Sequence, residues 1–174
     1  MDYFLIYKPF QVLSQFTSTD GKLCLKDILH VPNDVYPVGR LDRETTGLLL
    51  FTNDGDMAKK LTHPRYQAKK IYHVELNKPV TKEDMERLLR GVDLEDGKTR
   101  VDEVSYIENG NSTEVGVEIH SGKNRIVRRL FEAMGYVVVK LDRVQFAGLT
   151  KKDLPRGYYR HLTEQEVSFL KMTK

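Results

Sequence analysis

The stretch Tyr36-Pro37-Val38-Gly39-Arg40-Leu41-Asp42-Arg43-Glu44-Thr45-Thr46-Gly47, running straight into Leu48-Leu49-Leu50-Phe51, decides how this chain is read. Charged residues with a glycine near each end, followed by four apolar residues, describe a polar loop tip fixed to the start of a core strand. Asp42 therefore stands on an anchored loop, bracketed in sequence by Arg40 and Arg43. A carboxylate held between guanidinium groups suits a nucleophile that faces an anionic substrate. The plainer alternative is a surface ion pair of Asp42 with Arg40 or Arg43.

The elements outward from this loop follow from periodicity. Residues 3 to 7 read as a first strand closed by Lys8-Pro9, and Leu25, Ile28 and Leu29 recur at helical spacing before Pro32. Between them lies a loop through Thr17-Ser18-Thr19-Asp20-Gly21. After the strand at 48 to 52, Asn53-Asp54-Gly55 offers a cap to a helix bearing Met57, Ala58 and Leu61, which ends at His63-Pro64. Lys69 to Leu76 alternates as a strand with Tyr72, Val74 and Leu76 on one face. Thr81 opens a helix that Gly91 closes, and residues 98–107 and 113–120 form strands about the hairpin signal Asn109-Gly110-Asn111. A helix beginning near Asn124 buries Ile126, Val127, Leu130, Phe131 and Met134, leaving Arg125, Arg128, Arg129 and Glu132 on its other side. Residues 136–141 read as a core strand, and Thr163-Glu164-Gln165-Glu166 is a capping box before a short last helix. Strands and helices mixed without strict alternation predict an α+β fold on a largely antiparallel sheet.

Gly39-Arg40-Leu41-Asp42 with Thr46-Gly47-Leu48-Leu49-Leu50 resembles the signature of the pseudouridine synthases, in particular the small ribosomal enzymes that modify uridines in rRNA. The resemblance implies that Asp42 is the catalytic residue. Tyr7-Lys8-Pro9 is similar to the family's opening Asn-Lys-Pro, with Tyr7 in place of the Asn. Lys70-Ile71-Tyr72-His73-Val74 resembles Lys-x-Tyr-x-Val, which implies that Tyr72 stacks near the target base. Gly122-Lys123-Asn124-Arg125-Ile126-Val127-Arg128-Arg129 resembles Gly-x-Asn-Arg-Gln-Val-Arg-Arg, with Ile126 for the Gln, and implies that Arg128 pairs with Asp42. Leu141-Asp142-Arg143-Val144, Gly148-Leu149 and Leu154-Pro155-Arg156-Gly157 extend the likeness over nearly the whole chain. The implied fold is a mixed, mainly antiparallel sheet in two lobes with Asp42 in a central cleft. Relatives of this branch often carry an S4 RNA-binding domain, and residues 1–174 read as a single catalytic domain without one. That feature and the opening Gln15-Phe16-Thr17 point toward the members that act on the large subunit.

Composition narrows the partners. Twenty-eight Lys and Arg against 25 Asp and Glu give a net charge of only +3, so the grouping of the cations matters more than their number. Arg40, Arg43, Lys69, Lys70, Lys123, Arg125 and Arg129 are the expected RNA contacts, since separated basic groups converging on one face suit a phosphate backbone. A lone cysteine and five scattered histidines predict neither disulfide nor metal site. The expectation is a cytoplasmic, cofactor-free isomerase, monomeric, working on rRNA and not on a membrane. Pseudouridine formation breaks the C1′–N1 bond of a uridine and joins C1′ to C5, which requires no redox partner but does require an ionised Asp42 beside the ribose. The target base must be in a loop or flipped from a helix. Two rivals stand beside this reading: a non-catalytic rRNA-binding module on the same fold, and a hydrolase pairing Asp42 with Glu44.

Overall fold

A computed structural model describes residues 1–12, 14, 22–25, 29–66, 68–108 and 110–172. Its frame is two strands buried on both faces. In β1 (Tyr3–Lys8) and β3 (Thr46–Thr52), alternate side chains enter two different cores. Leu5, Tyr7, Leu48 and Leu50 pack with Met57 and Leu61 of α1 (Gly55–Thr62), whereas Phe4, Ile6, Leu49 and Phe51 pack with Leu25, Leu29, Val35 and Leu41. A strand covered on both sides has no polar face, which is why residues 48–51 read as an uninterrupted apolar run.

The second half is covered on one side. In β4 (Lys70–Leu76), Tyr72, Val74 and Leu76 share a core with α2 (Lys82–Arg90) and α3 (Ile126–Ala133), while Ile71, His73 and Glu75 take the more open face. Including β7 (Glu103–Tyr106), β8 (Glu114–Ile119), β9 (Val138–Phe146) and β11 (Tyr159–His161), the strand order is β11-β1-β3-β9-β4-β8-β7. Short β2 (Tyr36–Pro37) pairs with β3, and β10 (Leu149–Thr150) with β9. Every pairing is antiparallel except β3 with β9. The fold is therefore α+β, a mixed and mainly antiparallel sheet in two lobes.

Those lobes meet through two register pairs, Thr46 with Asp142 and Gly47 with Arg143. Gly47 has φ +135°, and a Cβ there would lie 2.5 Å from the Arg143 amide nitrogen and 2.6 Å from its carbonyl oxygen. Only a residue without a side chain lets the strands approach so closely. Asp142 completes the joint, accepting hydrogen bonds from Tyr7 Oη at 2.6 Å and Thr46 Oγ1 at 2.7 Å.

Several sequence expectations shift. The single strand over 98–107 is two: β6 (Gly97–Thr99) turns back on β5 (Val92–Leu94), then buried Val101 bonds Leu88 and redirects the chain into β7. The helix placed from Asn124 begins at Ile126, because Arg125 adopts φ 52°, a left-handed conformation. The strand at 136–141 starts at Val138 and continues to Phe146, and Val137 and Val139 are exposed where β9 has β4 on one side only. Capping is as read, with Asp54, Thr81 and the reciprocal Thr163–Glu166 box ahead of α4 (Glu164–Met172). The helix through Ile28, the loop over 17–21, the opening at 15–17 and the turn residue Asn109 lie outside the described residues.

Candidate active site

The loop carrying Asp42 is fastened from below. Ser14 Oγ donates to the Leu41 carbonyl at 2.7 Å and accepts from the Leu41 amide at 3.1 Å. The Thr45 amide bonds the Asp42 carbonyl, and the Gln11 amide bonds that of Arg43. Lys8 lies wholly buried beneath, donating to the carbonyls of Val12 at 2.7 Å, Pro9 at 3.0 Å and Arg43 at 3.3 Å. Burial pulls this ammonium down to about 8, against the opposing charges of Glu44 and Asp42. With its backbone held on three sides, the loop presents the Asp42 carboxylate at a quarter exposure.

The positive partners come from the other lobe. Arg125 Nη1 is 3.0 Å from Asp42 Oδ2, and Arg128 Nε is 3.6 Å from the same oxygen. At that distance Arg128 acts on the carboxylate by charge rather than by a hydrogen bond. Its Nη2 is spent on the loop itself, reaching Thr45 Oγ1 at 3.2 Å and the Glu44 carbonyl at 3.3 Å. Burial and the neighbouring Arg125 lower the Arg128 guanidinium, while Asp42 and Glu44 raise it. The pairing expected of Arg128 is thus shared, and Arg125 makes the shorter contact. Neither Arg40 nor Arg43 bonds Asp42; Arg40 is exposed and Arg43 Nη2 reaches Gln11 at 3.3 Å. The surface-pair alternative finds no ion pair among the described residues: the carboxylate's partners are Arg125 and Arg128 instead.

A cavity of about 660 Å³ opens over Asp42, with Tyr72, Leu141, Lys70, Arg125 and Arg143 among its walls. That is ample for a nucleoside. Tyr72 is buried at 8% exposure, and no described residue hydrogen-bonds its hydroxyl. Lys70 stands two residues along the same strand face and donates to the Ser121 carbonyl at 3.0 Å. Burial, with a smaller contribution from Arg143, pulls it down to about 8.

Of the residues expected at the site, Asp42, Tyr72, Arg125, Arg40, Arg43, Lys70 and Lys123 line this cavity, and Arg128 underlies it. Lys69 and Arg129 stand apart. Lys69, just ahead of β4, reaches toward Glu118 at 3.5 Å, and Arg129 forms a two-pronged pair with Asp96 at 2.9 and 3.1 Å. Glu44 is exposed at the loop edge. Sequence reasoning passed over Lys8 and Arg143, although both fall inside segments that carry the family likeness. The usable signals were a lysine closing an otherwise apolar strand and an arginine midway along another.

Comparison with known proteins bears on this arrangement directly. A family model described as RNA pseudouridylate synthase matches residues 2–133. The chain belongs to this family. It is 41% identical over 173 residues to the ribosomal large subunit pseudouridine synthase B of Bacillus subtilis (strain 168), covering 97% of this chain and 71% of that protein. It is 36% identical to the ribosomal small subunit pseudouridine synthase A of Vibrio cholerae, covering 95% and 72% respectively. A crystal structure of a pseudouridylate synthase superimposes with a TM-score of 0.85 at 29% identity, over 97% of this chain and 73% of that one. The protein is an RNA pseudouridine synthase, an isomerase. Among the described residues no helix is long and apolar enough to cross a membrane.

Proposed function

We propose that this synthase isomerises a specific uridine of ribosomal RNA, in the large subunit, with Asp42 as the group that acts on the ribose. One observation carries the reading: a reachable carboxylate faces two guanidinium groups in a cavity of nucleoside size. A pure RNA binder gains nothing from an anion fixed among its cations. The B-type relative from Bacillus subtilis supports the large-subunit assignment by its name.

With a flipped uridine in the cavity, Asp42 attacks C1′ or removes the 2′ proton; either route frees uracil from C1′. The base then rotates so that C5 meets C1′, the new bond forms, C5 releases its proton and N1 gains one. Tyr72 stacks on the loose base during the turn, and its uncommitted hydroxyl is placed to receive the C5 proton. Arg125 and Arg128 supply the countercharge that Asp42 loses when bound RNA displaces water. The test is tritium release from 23S transcripts labelled at uridine C5. The unmodified chain releases tritium, and Asp42→Asn binds the transcript but reduces release by at least about 10³-fold. No release from 23S by the unmodified chain, with release from 16S, would move the target to the small subunit; none from either would favour the binder.

A further inference from the structure

The cavity over Asp42 is one of two chambers. The second, of about 750 Å³, runs between the end of α1, the β6 turn and the 120–123 connection. Arg40, Lys70, Lys123 and Arg143 line both chambers and so stand at their junction. Beyond them, Lys98 and Arg100 line the second chamber only, and none of its lining residues is Asp or Glu. The lining residue His120 pairs through Nδ1 with Asp102 at 2.8 Å, and Asp96 is held by Arg129.

Arg143 is the informative residue. It is 4% exposed, its Nε donates to the Leu48 carbonyl at 2.9 Å, and its guanidinium carbon lies 4.6 Å from the Phe146 ring centre. Its Nη2 is buried with no hydrogen-bond partner. An unsatisfied charged donor in the wall of a cleft is costly, by roughly 1–3 kcal/mol or more, unless something arrives to accept from it. Lys70 adds a cation that spends one donor on a carbonyl and pairs with no carboxylate among the described residues. Arg40, Lys98 and Arg100 are likewise unpaired there and exposed. Loss of solvent around Lys70, and then the charge of Arg143 beside it, lower its ammonium.

We propose that Arg143, Lys70 and Arg40 form a seat for one backbone phosphate of the RNA, next to the flipped uridine, and that Lys98 and Arg100 guide the adjoining strand through the second chamber. The seat rests on the reading of the first chamber as the uridine site, and it adds a reason for the division of the cleft. A phosphate at the junction fixes the strand where the nucleotide must swing out, so that the base enters the chamber holding Asp42 while the flanking nucleotide stays in the acid-free one. Arg143 then does two things at once. Its Nε ties the second lobe to the first through Leu48, and the rest of its guanidinium serves the phosphate.

The test combines binding and kinetics. Binding is followed with a fluorescein-labelled single-stranded oligouridylate 12-mer at increasing KCl, using the Asp42→Asn chain so that no chemistry intervenes. Lys70→Met lowers the slope of log affinity against log salt by about 0.7, one phosphate contact on a single strand, and Lys98→Glu with Arg100→Glu lowers it further. In tritium release from rRNA transcripts, Lys70→Met raises KM about tenfold more than it lowers kcat. Arg143→Lys keeps the charge but loses the fork and shows the same split; should it fail to fold, the two lysine-side variants still decide. Unchanged salt slopes, or losses confined to kcat, would overturn the seat and leave Arg143 and Lys70 as props of the fold. Absence of tritium release by the unmodified chain would instead remove the proposed function, and the salt slopes would judge the phosphate seat alone.

Discussion

The two lobes hold their share of the site in different ways. On the first, Asp42 is set by backbone: a strand buried on both faces, Ser14 gripping both polar atoms of Leu41, and Lys8 tying three carbonyls beneath the loop. On the second, the guanidiniums are set by reach, projecting from a left-handed residue and the first turn of a helix whose core is covered from one side. The backbone under the carboxylate is therefore held mainly by its own lobe, whereas the countercharge comes from the other. Damage at the joint, at the arginines and under the loop should then produce separable defects.

The joint should give the largest. Gly47→Ala places a Cβ within 2.5 Å of the backbone of Arg143 at φ +135°. Overpacking and the disfavoured conformation cost together about 2–5 kcal/mol. Urea unfolding should show that loss, with turnover falling alongside because Arg125 and Arg128 no longer meet Asp42. A stability within about 0.5 kcal/mol of the unmodified chain would mean that the lobes are not locked at this pair.

The arginines come next, and they sharpen the comparison because distance and burial disagree. Arg125 is closer, but its side chain is 43% exposed; Arg128 is farther and 10% exposed. Solvent screens the first far more than the second, and Arg128 also holds Thr45 and the Glu44 carbonyl. Arg128→Met should lower kcat by about 10²-fold while leaving affinity for the transcript within roughly threefold. Arg125→Met should lower it by about tenfold. The reverse order would show that proximity outweighs burial here, and an equal loss of turnover and binding would remove Arg128 from its positioning role.

Much of this was readable from residues alone, for reasons that differ between the lobes. The run at 48–51 announced a core strand, which the fold covers on both sides, and the alternation at 70–76 announced one with a single core face. Tyr72 was legible because strand periodicity fixes its face. Which guanidinium meets Asp42 was not, since that depends on a left-handed residue at position 125 and on docking across 83 or more residues of sequence. Lys69 and Lys70 are indistinguishable as letters. One, just ahead of β4, faces Glu118 and the other, at the start of the strand, lines the cleft. Arg129 looked as available as Arg128 until the β5–β6 turn placed Asp96 against it. Val137 and Val139 looked like core because β-branched residues fit a sheet, yet they flank Val138, which packs on the core, and are themselves exposed.

Tyr72 belongs to the second lobe, and under the proposed mechanism it works on the base that Asp42 has released, so its removal should spare the ground state. Phenylalanine at this position keeps the ring and deletes only the hydroxyl, which has no partner among the described residues. Tyr72→Phe should bind transcript as the unmodified chain does and slow tritium release by about tenfold, the size of a modest proton-transfer contribution. Full activity would leave Tyr72 a stacking residue only.

Lys8 tests the first lobe by itself, through pH. Its folded ammonium is lowered to about 8 from 10.5, chiefly by burial. The folded chain therefore releases this proton before the unfolded chain does, and between those two values the unfolded state binds more protons. Stability rises with pH across that window, at a slope of at most about 1.4 kcal/mol per pH unit, and the burial cost is present in full below it. Lys70 contributes a slope of the same sign. The informative quantity is thus the difference between the unmodified chain and Lys8→Met, which retains Lys70. Lys8→Met is less stable at every pH because three carbonyls lose their donor, and that deficit should widen from pH 8 to pH 10 as the unmodified chain alone sheds the cost of a buried charge. A deficit constant over this range would mean that the three carbonyls solvate the ammonium as well as water does, and the loop under Asp42 would then be held without electrostatic cost.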